Sequence, residues 1–135
     1  MVAYNFKKQF VKPIQDGEKR QTIRRVGKRK HAQRGDRIQL YTGQRTTSCE
    51  RIIEDDVVCL CSKPVSIYVG KETSTVIVDG DAVTTSEGKE ALALADGFDD
   101  FQAFHEFWKE NHGLGRHDFV LIQWVTLEEW ARSGN

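Results

Sequence analysis

Gly17-Glu18-Lys19-Arg20-Gln21-Thr22-Ile23-Arg24 and, after a basic stretch, Gly35-Asp36-Arg37-Ile38-Gln39-Leu40-Tyr41-Thr42-Gly43-Gln44-Arg45-Thr46 decide how this chain is read. Each segment leaves a glycine and enters a short run in which polar and apolar residues alternate, the period of an extended strand. In Arg20 to Arg25, Gln21 and Ile23 share one face while Thr22 and Arg24 share the other. Ile23 is expected to point to the core, and Thr22 and Arg24 to a cleft or solvent. The second strand, Arg37 to Tyr41, turns Ile38 and Leu40 inward and carries Tyr41 and, beyond the glycine turn, Arg45.

Working outward, Gln9 to Gln15 reads as a short helix with Phe10, Val11 and Ile14 on one side, Pro13 in its first turn and Gly17 at its end. Val26 to Arg34 has no hydrophobic period and reads as an exposed basic loop. Strands are expected over Thr46 to Ile53, over Val57 to Ile67 with Pro64 at a bulge or edge, and over Ser74 to Val78. The last leads into an Asp79-Gly80 hairpin turn. Ser86 to Ala95 is compatible with a short helix. Asp99 to His112 is the clearest one, with Asp99 or Asp100 as its cap and Phe101, Phe104, Phe107 and Trp108 as an apolar stripe. Asp118 to Val125 is a final buried strand, and Leu127 to Trp130 a closing turn. The sum is an α+β fold, a small mixed barrel of six or seven strands with two or three peripheral helices.

The chain has 135 residues, which suits one domain over 1–135. Hydrophobic residues make up 39% and charged residues 30%, ordinary values for a globular protein. No apolar run approaches a membrane span, and Met1 to Lys8 lacks the apolar core of a signal peptide, so the expected location is cytoplasmic with no membrane partner. Cys49, Cys59 and Cys61 are odd in number and do not form a disulfide framework. Neither they nor His31, His105, His112 and His117 fall at metal-ligand spacing, so no metal and no cofactor is expected.

The zero net charge conceals a division. Residues 1–51 hold 14 Lys/Arg and 4 Asp/Glu, whereas 52–135 hold 6 and 16. A basic half of this kind attracts phosphates. Lys19, Thr22, Arg24 and Tyr41 add an ammonium, a hydroxyl, a guanidinium and an aromatic ring, a donor set that suits an anionic or nucleobase-like ligand. Each also has a plain structural reading: Lys19 as a solvated turn residue, Thr22 as a strand former, Arg24 as half of an ion pair, Asp96 as a helix cap, and the aromatic stripe as core.

The same residues resemble the ASCH domain, a relative of the PUA domain. The likeness runs from Phe10 and Gly17-Glu18-Lys19 through Thr22-Ile23-Arg24, Gly35-Asp36 and Leu40-Tyr41-Thr42-Gly43. It continues to Asp96-Gly97-Phe98 before the aromatic helix and closes on Val120-Leu121-Ile122-Gln123-Trp124. The resemblance implies a PUA-like β-barrel whose cleft is lined by the Gly-x-Lys-x-x-Thr-x-Arg segment, and recognition of RNA or a modified nucleoside. It also implies an alternative, because one small bacterial member is an amidohydrolase acting on 4-acetylcytidine and another is described as a ribonuclease. By that likeness the catalytic lysine, threonine and carboxylate fall on Lys19, Thr22 and Asp96, with aspartate where the family has glutamate. Arg20, Arg24, Arg25, Tyr41 and Arg45 are the residues expected to hold the ligand. A third class, a protein-docking module that uses the charge division, is the remaining alternative.

Overall fold

Val57–Val69 (β5), thirteen residues long, is the strand on which the others hang. In the computed structural model, which describes residues 2–134, β5 pairs antiparallel along its length with Gly115–Thr126 (β8), from Val57 opposite Thr126 to Val69 opposite Gly115. Its other edge serves two neighbours. Val57 and Val58 pair with Arg37–Thr42 (β3), and Val65 to Val69 pair with Ser74–Val78 (β6). A register shift between Cys59 and Cys61 separates the two halves. A bulge of this kind bends and twists a strand, which lets one β5 leave β3 and take up β6. The bend falls there rather than at Pro64, which pairs regularly with Val120.

Val2–Phe6 (β1) lies parallel to β3, and Gln21–Arg25 (β2) antiparallel to β8. Glu50–Arg51 (β4) adds to β3 and Asp81–Ala82 (β7) to β6. The hairpin between β6 and β7 turns on Asp79 and Gly80, both at positive φ (50° and 87°), the geometry that the Asp-Gly pair favours. The fold is thus α+β with a mixed sheet of eight strands among the described residues, more than the expected six or seven. The run from β1 through β3, β5 and β8 ends at β2; β1 and β2 are not paired to each other.

Among the described residues four α-helices flank the sheet, more than the expected two or three: Val11–Gln15 (α1), Ser86–Ala95 (α2), Phe101–His112 (α3) and Leu127–Arg132 (α4). A 3₁₀ turn over Lys8–Phe10 leads into α1, and Pro13 sits early in that helix as its sequence required. Asp100 caps α3 by accepting from the Ala103 N–H at 2.7 Å. Thr126 and Glu129 form a reciprocal capping box on α4. The expected strand over Thr46 to Ile53 shrinks to β4. Gly43 is at φ +67°, Thr46 Oγ1 donates to the Gly43 carbonyl, and the Ser48 N–H donates back to Thr46 Oγ1. Side-chain turns of this sort compete with a ladder.

The core joins both sheet and helices. Tyr4, Phe6, Ile23, Ile38, Leu40, Ile67 and Val76 come from strands; Phe98, Phe101, Phe104 and Trp108 come from α3 and its approach. Aromatic pairs such as Phe10–Phe98 (5.4 Å, 81°) meet edge to face, the arrangement their quadrupoles favour.

The α4 cap gives a pH-dependent test. Hydrogen bonds from Arg20, and then from Thr126, hold the Glu129 carboxyl below the ordinary glutamate value. A depressed folded-state pKa contributes stability that is present above the unfolded value and is lost as pH falls through the folded one. Urea unfolding between pH 7 and pH 3 is expected to show that loss, and Glu129→Gln to reduce its steepness. Thr126→Ala should cost about 1 kcal/mol at neutral pH; an unchanged midpoint would show that the cap contributes nothing.

Candidate functional site

The unpaired edge between β1 and β2 leaves backbone carbonyls that the sheet does not satisfy. Two arginines satisfy them. Arg24 Nη2 donates to the Asn5 carbonyl at 2.6 Å, and Arg29 Nη2 donates to the Ala3 carbonyl. Both guanidinium groups lie over aromatic rings of β1: Arg24 at 5.1 Å from Tyr4 and 4.6 Å from Phe6, Arg29 at 4.7 Å from Tyr4. The basic loop is pinned by the same edge. His31 Nε2 donates to the Arg25 carbonyl at 2.8 Å, so Nδ1 is the acceptor for the Tyr4 hydroxyl at 2.9 Å.

A cavity of about 410 Å³ opens beside this edge, within the roughly 300–1,000 Å³ typical of small-ligand sites. Asn5 of β1 and Thr22 to Arg25 of β2 form one side. Lys19 and Asp96 also line it, and the end of α3 contributes Phe107, Trp108 and His112. Four residues expected from the sequence (Lys19, Thr22, Arg24 and Asp96) therefore converge, with Arg25 beside them.

Lys19 and Asp96 are 2% and 3% exposed, which excludes a solvated lysine. The Lys19 ammonium donates to the Asp96 carbonyl oxygen at 2.5 Å and lies 3.4 Å from Oδ1. Asp96 is the C-cap of α2, not a cap of α3, so the ammonium sits where the helix leaves carbonyls unmatched and its dipole is negative. Lys19 also faces the Phe10 ring at 4.7 Å. Burial pushes the Lys19 ammonium below its ordinary pKa and pushes the Asp96 carboxyl above its own, each opposed by the charge of the other. Gly97, at φ +93°, makes this approach feasible: a Cβ there would lie 2.7 Å from Lys19 Cδ and 3.0 Å from Phe10 Cδ1.

Thr22 Oγ1 accepts from Arg24 Nε at 2.8 Å, which leaves its own O–H to donate. Burial lowers the Arg24 guanidinium to about 10, so it stays charged at neutral pH. Behind Asp96 runs a polar chain. Gln21 Nε2 lies 3.4 Å from Asp96 Oδ1, Gln123 Nε2 is 3.3 Å from Gln21 Oε1, and the Cys61 thiol donates to Gln123 Oε1 at 2.9 Å. The chain and the Lys19 ammonium meet at the same carboxylate oxygen, Asp96 Oδ1.

Three expected ligand residues lie elsewhere. Arg20 turns to Glu129, with Nη1 at 2.6 and 2.8 Å from the two carboxylate oxygens, and lines a second concavity beside Ile14 and Trp124. It precedes β2, which begins at Gln21, so strand alternation, which would set it on the Thr22 side, does not fix its direction. Tyr41 donates from its hydroxyl to Gln39 Oε1 at 3.1 Å and faces Arg51, its partner on β4. Arg45 is exposed in the turn after Gly43. The sequence reading missed Asn5, Lys7 and His112, and assigned Phe107 and Trp108 to the core alone. Trp108 serves both purposes: it is buried among the ring cluster and lines the cavity, and its indole N–H has no hydrogen-bond partner among the described residues. The position of Asn5 on the exposed step of β1, between buried Tyr4 and Phe6, is the signal that alternation offered for it.

Chemically the cavity is lined by donors (Lys19, Thr22 and Arg24), an acceptor carboxylate and two aromatic rings, Phe107 and Trp108, set edge to face at 87°. No three-residue cluster of metal-ligating type occurs among the described residues. No helix there is long and apolar enough to cross a membrane. No protein-family model, no curated protein and no solved structure matches the chain.

Removing one member of a buried ion pair leaves the other charge stranded, at a cost of about 3–5 kcal/mol. Lys19→Met is expected to lose stability in that range by urea unfolding, and Lys19→Met with Asp96→Asn to regain most of it. A single variant as stable as the parent would mean that Asp96 does not depend on Lys19.

Proposed function

We propose that this protein is an ASCH-type, PUA-like domain that recognises RNA or a modified nucleoside in the cavity between β1 and β2. The reading rests on one observation above the rest: Lys19, Thr22, Arg24 and Asp96 reach a single concavity walled by Phe107 and Trp108. A base edge needs both donors and an acceptor, and a base face needs a flat apolar surface; single-stranded RNA is read in this way. The open strand run from β1 to β2 is compatible with a PUA-like barrel parted at that seam, and the resemblance of Gly17 to Arg24 and of Asp96-Gly97-Phe98 to ASCH sequences supports the same reading.

The experiment is a titration of short single-stranded RNAs and of cytidine and 4-acetylcytidine, followed by calorimetry and by chemical shifts of cavity residues. Thr22→Val keeps the side-chain shape and removes the hydroxyl, and is expected to weaken binding about tenfold. The logarithm of RNA affinity should fall against the logarithm of salt with a slope of about −0.7 per phosphate contacted on a single strand. Absence of binding to every one of these at physiological salt would reject the reading and favour protein docking.

Hydrolysis is the second reading, and one observation favours it: the Lys19 ammonium is desolvated beside Asp96, which moves it toward the neutral base. In an amide hydrolysis the Thr22 oxygen would attack the acetyl carbon of 4-acetylcytidine while neutral Lys19 takes the hydroxyl proton. That proton would pass to the leaving N4, cytidine would depart, and water would release acetate from Thr22. In the resting geometry Lys19 bonds Asp96, and Thr22 accepts from Arg24, so a shift of the ammonium is required. Turnover of 4-acetylcytidine above a Lys19→Ala control, raised by Asp96→Glu, is the expected outcome of this reading; no acetate above control rejects it.

A further inference from the structure

We infer that the mouth of the cavity is a phosphate site, formed by Lys7, Arg25 and His112, so that the ligand it takes is a nucleotide unit and not a bare nucleoside. The inference deepens the nucleoside reading and rests on it for the identity of the base end. Three separate segments supply the groups: Lys7 comes from the turn after β1, Arg25 from the end of β2 and His112 from the last turn of α3. All three line the same cavity as Arg24. Among the described residues no carboxylate forms a salt bridge with Lys7, Arg24, Arg25 or His112. The cavity's carboxylate, Asp96, is taken by Lys19.

The His112 ring records this unmatched charge. Burial first, then the neighbouring Arg25, His117 and Lys7, hold its imidazole below the ordinary histidine value. Arg25 faces it from β2, His117 from β8 and Lys7 from the β1 turn, while Trp108 stacks on it at 5.1 Å and Phe119 meets it edge-on at 5.1 Å. Lys7 is steered by a hydrogen bond to Asn111 Oδ1 at 3.1 Å and by the Phe107 ring at 4.9 Å. The cations are thus arranged against their mutual repulsion, and an anion placed among them relieves it. A phosphate oxygen accepts from each of these groups, and charge-assisted hydrogen bonds are the stronger kind. With the anion at the rim, the base reaches inward along Trp108 toward Thr22 and the Lys19–Asp96 pair.

Two sources carry this chemistry, a free nucleotide with a phosphate monoester and an RNA strand with a phosphodiester. Calorimetry with cytidine, cytidine 5′-monophosphate and the dinucleotide cytidylyl-cytidine separates them. Both phosphorylated probes are expected to bind about tenfold or more tightly than cytidine; tight binding by the monoester alone indicates free nucleotide, and by the diester also indicates a strand. The diester does not titrate near neutrality. Its advantage over cytidine should therefore grow from pH 8 to pH 5.5 as His112 takes a proton, and His112→Gln should abolish that growth. Lys7→Ala with Arg25→Ala, both exposed positions, should bring the ratio of diester to cytidine affinity close to one.

Inorganic phosphate tests the rim by itself. Followed by the histidine C–H resonances, with His112→Gln for assignment, it should raise the His112 pKa. If phosphate does so while no nucleoside binds, the anion site stands and the base-recognition reading falls. If phosphate leaves the His112 titration unmoved, or if cytidine and its phosphorylated forms bind equally, the inference is overturned.

Discussion

The seam between β1 and β2 is the constraint from which the site follows. A sheet that stops short of closure exposes carbonyls on its last strand, and here Ala3 and Asn5 hold theirs toward side chains instead of a neighbouring strand. Arginine suits that place because its planar fork can donate and lie on an aromatic face at once. Arg24 does both, across Tyr4 and Phe6, and its Nε still reaches Thr22. A residue that looks like a ligand-binding cation thus has a structural duty as well, and the cavity is what remains where backbone pairing ends.

Below the seam lies an ammonium and a carboxylate in the interior. Taking two charges out of water is unfavourable unless their partners are close and their remaining valences are met. The Asp96 backbone carbonyl at the end of α2, its side chain, and Gln21 with Gln123 behind it meet most of that requirement. Gly97 is the backbone condition for the arrangement, because any side chain there would displace the Lys19 stem. The cost of holding these groups is a reason to expect chemistry from them, since perturbed titrating groups concentrate in functional clefts. Cys59, by contrast, is raised to about 11 by burial and is an inert core thiol.

Much of the fold was legible in local pattern. The 3.6-residue stripe from Phe101 to Trp108, the Asp79-Gly80 turn, Pro13 with Gly17 around the first helix and the extended run over Gln21 to Arg25 all describe short-range geometry, and each appears where its sequence placed it. The stretch from Thr46 to Ile53 misled because its threonines and serine favour strands by propensity yet here hydrogen-bond to their own turn. Alternation and proximity in sequence both grouped Arg20 with Thr22 as one site, but Arg20 lies just before β2 begins. Arg20 belongs to Glu129, 109 residues away, and nothing local announces that partner.

The chain by itself determined most of the strands and helices and their punctuation, and that Lys19, Thr22 and Arg24 travel together, because those properties depend on neighbours a few residues apart. Tertiary structure alone decided that Asp96 comes to Lys19 across 77 positions, that His112 and Lys7 share a rim with Arg25, and that the aromatic helix walls a cavity as well as filling a core. The physical reason is that burial and counter-charge are set by what packs against a residue, and the unclosed seam depends on how all eight strands add up.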